Sequence, residues 1–105
     1  MLVREIAGAQ VQIDAEGFLA SQGEWTPATA DALAKENGIT LSPLHWKVIT
    51  FCREDAAKNK GLSPGLRRIS QLSGVGMKEL YALFPKGPGK LVARIAGLPK
   101  PKSCL

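Results

Sequence analysis

The chain has 105 residues, of which 45% are hydrophobic, and a formal net charge of +5, as expected for one small globular domain. Its apolar runs are far shorter than the roughly 20 residues that span a bilayer, and its first residues lack a signal peptide's basic start and apolar core, so we expect a cytoplasmic protein without membrane contact. One histidine and two cysteines are too few for an ordinary Cys/His metal site, and in the cytoplasm both cysteines are expected to stay reduced.

The charge is divided unevenly along the chain. Residues 1–57 hold four basic and eight acidic side chains, whereas residues 58–105 hold ten basic side chains and one acidic one. A basic half of this kind suggests an acidic protein partner or a nucleic acid. The alternative interpretation is a solvated surface that keeps the protein soluble.

Alternating residues near the start predict a β-hairpin over about residues 8–20. Val11 and Ile13 alternate with glutamines, which is the pattern of a half-buried strand. The turn is assigned to the Asp-Ala-Glu-Gly sequence at residues 14–17, because its glycine can adopt positive φ. Phe18 then begins the return strand. Because an isolated hairpin is only marginally stable, it must pack on something apolar.

Three predicted helices share one starting pattern, a hydroxyl residue followed by proline. Thr26, Ser42 and Ser63 each stand where a side chain can cap a helix, and proline suits the first helical position. The five predicted helices are short and closely spaced, at about residues 26–37, 42–58, 63–73, 77–84 and 88–96. They predict a mainly α fold, a small helical bundle that carries the N-terminal hairpin.

The last eight residues, 98–105, are predicted to form an extended, flexible arm on a body of residues 1–97. Two prolines in this segment forbid regular helix, and Lys100 and Lys102 make it basic. Cys104 lies one residue before the end of the chain. The arm can therefore carry a thiol outward, as a group that enters another protein's active site would require.

Short motifs follow one another in a fixed order along nearly the whole chain. They are DAEGFL at 14–19, a tryptophan at 25, LSPLHW at 41–46, SPGLR at 63–67, LYALFPKGP at 80–88, AGLPKP at 96–101 and a penultimate cysteine. The ordered set resembles the TusE/DsrC family of sulfur-relay proteins, also called gamma-subunit-like proteins of dissimilatory sulfite reductase. This resemblance implies the same helical body, hairpin and arm.

Cys104 is the predicted catalytic residue. Sulfur transfer needs a thiolate that attacks a persulfide and then presents its own persulfide to an acceptor, and the family resemblance implies this role. Lys100 and Lys102 favour the thiolate and, with Arg67 and Lys86, are predicted to bind partners. The expected partners are a sulfur-donor protein and a sulfur-acceptor enzyme, or sulfite reductase. We predict a persulfide carrier of sulfurtransferase type rather than an enzyme with its own substrate pocket, and neither metal nor cofactor.

Three residues of the 42–58 helix are assigned structural roles. Cys52 has apolar neighbours, among which cysteine behaves as a small hydrophobe. His45 raises the alternative of acid–base chemistry, because histidine titrates near neutrality. No nucleophile and carboxylate accompany it in the sequence, so a buried pair of His45 and Trp46 that packs and caps is the preferred interpretation.

Two departures from the family pattern leave the pathway open. Members tied to dissimilatory sulfur metabolism carry a second cysteine eleven positions before the penultimate one, where this chain has Ala93. Its absence favours a TusE-like relay towards 2-thiouridine in tRNA. The connection between residues 73 and 78, however, is shorter than in typical tRNA-pathway members, and a DsrC-like partner of sulfite reductase is the alternative.

A function of another class is a non-catalytic regulatory or nucleic-acid-binding module on the same fold. The third and fourth predicted helices have the spacing of a helix-turn-helix. The second of them, at residues 77–84, is mostly apolar, whereas a recognition helix needs polar side chains for base edges. Sequence-specific DNA binding is therefore disfavoured, while attraction of phosphates to the basic half stays open.

Overall fold

The computed structural model describes residues 2–101 of the chain. It contains two antiparallel strands and five α-helices, so the predicted mainly α bundle with an N-terminal hairpin is confirmed. The elements in chain order are β1 (Leu2–Ile6), β2 (Ala9–Ile13), α1 (Pro27–Glu36), α2 (Pro43–Lys58), α3 (Leu66–Leu72), α4 (Met77–Leu83) and α5 (Pro88–Ile95). Within residues 2–101, no helix has the length and apolar character needed to cross a membrane.

The hairpin lies closer to the start of the chain than residues 8–20. β1 pairs with β2 in a register that places Leu2 opposite Ile13, and Ala7 and Gly8 form the turn with φ values of 54° and 80°. Two successive residues at positive φ suit the right-handed twist of a two-residue hairpin. The observed strands correct the predicted bounds of the hairpin. Because alanine rarely adopts positive φ, the sequence gives little sign of this turn.

The predicted Asp-Ala-Glu-Gly turn exists, but it leads into a loop instead of a full return strand. The Asp14 Oδ1 atom accepts hydrogen bonds from the backbone amides of Glu16 and Phe18, at 2.9 and 3.0 Å. A single isolated bridge, from Ile13 to Leu19, continues the sheet within the described residues. The turn therefore directs the Phe18 ring into the protein interior and leaves Glu16 exposed.

The three hydroxyl–proline sequences do not all start helices. Thr26 and Ser42 cap α1 and α2, and each forms a reciprocal capping box with the residue three positions later. Ser63 does not cap α3, whose N-cap is Gly65 without a side-chain hydrogen bond. The Ser63 hydroxyl instead donates to the backbone carbonyl of Pro99. That contact joins distant parts of the chain, so a local sequence pattern could not predict it.

One apolar core joins the hairpin to the helices in the described part of the chain. α5 contacts α1, α2 and α4, and its Ile95 side chain is fully buried in the core, to which Phe84 also belongs. Leu98 belongs to this core and is 1% exposed, and Pro101 is buried as well. Leu98, which was predicted to begin the arm, therefore packs with the body.

Candidate functional site

Cys104 and Lys102 lie outside the described residues, so the site is defined by the segment that leads to them. We call residues 97–101 the arm root. The Leu98 amide donates to the carbonyl of Ala93 in α5 at 2.9 Å, which turns the chain back against the end of that helix. The arm root is thus a continuation of the core rather than a free tail.

An indole ring supports the point where α5 ends. The Trp25 Nε1 atom donates to the carbonyl of Ile95 at 2.7 Å. Gly97 has a φ of 71°, and a Cβ added there would lie 2.5 Å from the Trp25 Cδ1 atom. Only glycine therefore fits this position without a shift, both because of its backbone conformation and because of the close approach of the ring.

A guanidinium group completes the support. Arg53 of α2 lies over the Trp25 ring, with its Cζ 4.0 Å from the ring centroid, and it donates to the carbonyl of Ala96 at 2.7 Å. Partial burial lowers the pKa of the Arg53 guanidinium. The carbonyl bond and the ring replace some of the water that this charge loses, so Arg53 connects α2 to the end of α5.

Two side chains from distant parts of the chain fasten the arm root. Ser63 donates its hydroxyl to the Pro99 carbonyl, and the Lys100 ammonium lies 3.1 Å from the carboxylate of Glu16. An exposed ion pair of this kind contributes little by itself. Together with the burial of Leu98 and Pro101, however, these contacts hold the chain close to the body up to three residues before Cys104.

The partner-binding cations predicted within residues 2–101 occupy different places. Lys100 is in the arm root, and Arg67 is exposed in the first turn of α3, four residues after Ser63. Lys86 is exposed and lines a separate cleft of about 330 Å³, formed by the end of α1 and the start of α5. Within residues 2–101, the Ser63 bond to Pro99 links the segment before Arg67 to the arm root, whereas Lys86 shares its cleft with Arg94, which donates to the Glu16 carbonyl.

The three residues assigned structural roles are all in α2. Cys52 is 1% exposed, and burial raises the pKa of its thiol to about 12, so the thiolate form is scarce at neutral pH. The His45 Nδ1 atom accepts from the Ser42 amide at 3.0 Å, and its Nε2 atom donates to the Leu83 carbonyl at 2.9 Å. Both ring nitrogens are thus engaged, and Trp46 is half-buried against the core.

An ion pair that the sequence did not predict lies next to the Ser63 segment. Arg68 donates to both carboxylate oxygens of Asp55, at 2.7 and 3.0 Å, and these bonds lower the pKa of Asp55. With Leu62 and Ser63, the pair lines a shallow cleft of about 240 Å³.

Across residues 2–101, no group of three His, Cys, Asp or Glu side chains is arranged to hold a metal ion.

The sequence did not predict the anchoring roles of Arg53, Glu16 and Ser63. Their partners lie 36 to 84 positions away along the chain, whereas helix and strand patterns report only near neighbours. Gly97 carried a signal, since a glycine directly follows the helix predicted over residues 88–96. Nothing in the sequence indicated that the Trp25 ring would press against it.

Comparisons with known proteins agree over almost the full chain. The family described as "DsrC like protein" matches residues 5–105. The sulfurtransferase TusE of Photorhabdus laumondii is 41% identical, with 100% of both chains covered. The gamma subunit of the dissimilatory-type sulfite reductase of Nitratidesulfovibrio vulgaris is 39% identical, with 93% of each chain covered. The NMR structure of Allochromatium vinosum DsrC has a TM-score of 0.83 at 35% identity, covering 98% of this chain and 97% of that one.

Proposed function

We propose that this chain, which belongs to the family of DsrC-like proteins, is a sulfur carrier. It accepts sulfane sulfur and passes it on through Cys104. The contrast between its two cysteines carries this proposal. Cys52 is buried with a raised thiol pKa of about 12, which makes it a poor nucleophile. Cys104 follows a fastened arm root by three residues, where a thiol can be offered to a partner.

The carrier reaction consists of two exchange steps. The Cys104 thiolate attacks the terminal sulfur of a donor persulfide, the donor's S–S bond breaks, and the donor leaves as a thiolate. An acceptor thiolate then attacks the terminal sulfur of the Cys104 persulfide, and Cys104 leaves as a thiolate. One sulfur atom moves in each step, so neither an external oxidant nor a reductant is consumed.

The relay that we propose is TusE-like, with sulfur passing towards 2-thiouridine in tRNA. Ala93 offers no thiol eleven positions before Cys104, so the arm cannot close an internal disulfide there. Chain length supports the DsrC-like alternative, with sulfite reductase as partner. The alignment with the Photorhabdus sulfurtransferase spans 112 positions, more than the 105 residues of this chain, whereas that with the sulfite reductase subunit spans 99.

Intact-mass spectrometry after incubation with glutathione persulfide tests the carrier function. We expect the protein to gain one sulfur atom, located on Cys104 by peptide mapping, and the Cys104→Ser variant to gain none. A wild-type protein that takes up no sulfur but binds nucleic acid, with an affinity that falls steeply as salt rises, would instead favour the regulatory or nucleic-acid-binding module.

The pathway is tested in cells that lack this chain. For a TusE-like relay we expect 2-thiouridine in tRNA to fall, and to be restored by the wild-type protein but not by Cys104→Ser. Unchanged 2-thiouridine together with impaired sulfite reduction would favour the DsrC-like alternative.

A further inference from the structure

The anchored arm root limits where a partner can meet Cys104. Leu98 is part of the core, Pro99 is bonded to Ser63 and Pro101 is buried. Three residues of fully extended chain span at most about 11 Å, and that is the reach of the Cys104 α-carbon from Pro101. A partner that reacts with this thiol must therefore touch the body close to the arm root.

The connection between α2 and α3 borders the arm root directly. Ser63 makes the bond to Pro99, and Lys60 and Arg67 are exposed within four residues of Ser63. In residues 2–101, neither Lys60 nor Arg67 takes part in an ion pair. The carboxylate of Asp55 on this side is already bonded by Arg68. This edge of the body therefore presents positive charge that neighbouring carboxylates do not neutralise.

The cleft that holds Lys86 is a weaker candidate for the same purpose. It is lined by Glu36 as well as by Lys86 and Arg94, and the Glu36 carboxylate is already paired with Arg4. The Arg94 guanidinium already donates to the Glu16 carbonyl at 3.0 Å. Within residues 2–101, no hydrogen bond or ion pair joins Lys86 to the arm root.

We propose that the α2–α3 connection and the start of α3, together residues 59–67, form the surface on which an acidic partner protein docks during sulfur transfer. This inference rests on the proposed function of Cys104. Lys60 and Arg67 attract the partner's carboxylates, and Leu62, which is 48% exposed, provides an apolar contact between them. Such charges act mainly on the rate of encounter and on the choice of partner.

A peptide with an activated disulfide is a defined probe for this surface. The probe is a glutamate-rich peptide whose single cysteine is a 2-pyridyl disulfide, and the matched peptide has glutamine in place of glutamate. The Cys104 thiolate attacks the peptide sulfur, the S–S bond to the pyridine breaks, and the released pyridine-2-thione is followed by absorbance. Rates are measured at an ionic strength of roughly 0.01 M, where charges act over about 30 Å.

We expect Lys60→Glu and Arg67→Glu each to lower the rate of reaction with the acidic peptide by at least about threefold. The rate with the glutamine peptide should not change. Lys47→Glu is the matched control, because Lys47 is exposed in α2 but lies beside Gly74, at the α3–α4 connection. It should slow the reaction with the acidic peptide less than Lys60→Glu and Arg67→Glu do, and leave the reaction with the glutamine peptide unchanged.

Wild-type rates in both Lys60→Glu and Arg67→Glu would overturn the docking surface. A larger slowing in Lys86→Glu than in these two variants would also overturn it, and would move docking to the cleft at the start of α5. Failure of Cys104 to react with either peptide would contradict the proposed function instead, since the glutamine peptide reports only the reactivity of the thiol.

Discussion

Gly97 and Gly38 have nearly the same backbone conformation in very different surroundings. Their φ values are 71° and 72°, but an added Cβ would lie 2.5 Å from the Trp25 ring at Gly97 and would meet nothing within 4 Å at Gly38. This pair separates the cost of an unusual backbone conformation from the cost of overpacking. It also tests how tightly the end of α5 is held against Trp25.

We expect Gly97→Ala to be clearly more destabilising than Gly38→Ala. Backbone strain should cost both variants about 1–2 kcal/mol, and the contact with the indole should add about 1–3 kcal/mol at Gly97. Urea unfolding followed by tryptophan fluorescence measures both free energies. Equal losses in the two variants would mean that Trp25 moves aside easily and does not fix the arm root.

The Asp55–Arg68 pair should make part of the stability depend on pH. The pair lowers the pKa of folded Asp55, whereas an unfolded aspartate has a pKa of about 3.9. The contribution of the pair to the unfolding free energy is therefore complete above about pH 5. It is lost as the pH falls through the lowered pKa of folded Asp55. We expect the difference in unfolding free energy between wild type and Asp55→Asn to shrink from pH 7 towards strongly acid pH. A constant difference would contradict this assignment.

At the scale of elements, local sequence signals were sufficient where the contacts are local. Thr26 and Ser42 with their following prolines predicted the starts of α1 and α2, and all five helices have their predicted order. β1 was missed because Ala7 is an uncommon turn residue. The start of α3 was placed too early because the Ser63 hydroxyl is used by Pro99, and such a tertiary contact leaves no mark on a local pattern.

The arm root is the element for which the structure most changes the expected hydrogen exchange. From sequence alone, residues 98–105 were expected to exchange their amide hydrogens quickly throughout. The Leu98 amide is bonded to the Ala93 carbonyl, so we now expect its exchange to be as slow as that of α5 amides. Hydrogen-exchange NMR measures this at single amides. Exchange of Leu98 at the rate of a free peptide would show that the arm root detaches as a unit.

At the scale of the whole molecule, the order of the motifs identified the family, and the family matches confirm it. The sequence also indicated the basic half of the chain, but only the structure shows that Lys86 lines a cleft with Glu36 and Arg94 while Arg67 is exposed in the first turn of α3. The pathway could not be predicted from either. Ala93 points towards one branch of the family and chain length towards the other, and neither feature describes the partner that receives the sulfur.

The assignment of the chemistry to Cys104 alone is tested most directly by persulfide loading of two single-cysteine proteins, Cys104→Ser and Cys52→Ala. We expect Cys52→Ala to take up one sulfur atom at the wild-type rate, with a loss of stability of about 1 kcal/mol from removing a small buried group. Cys104→Ser should take up none while keeping its stability. Sulfur uptake by Cys104→Ser, with none by Cys52→Ala, would contradict the account and assign the transfer to the buried thiol.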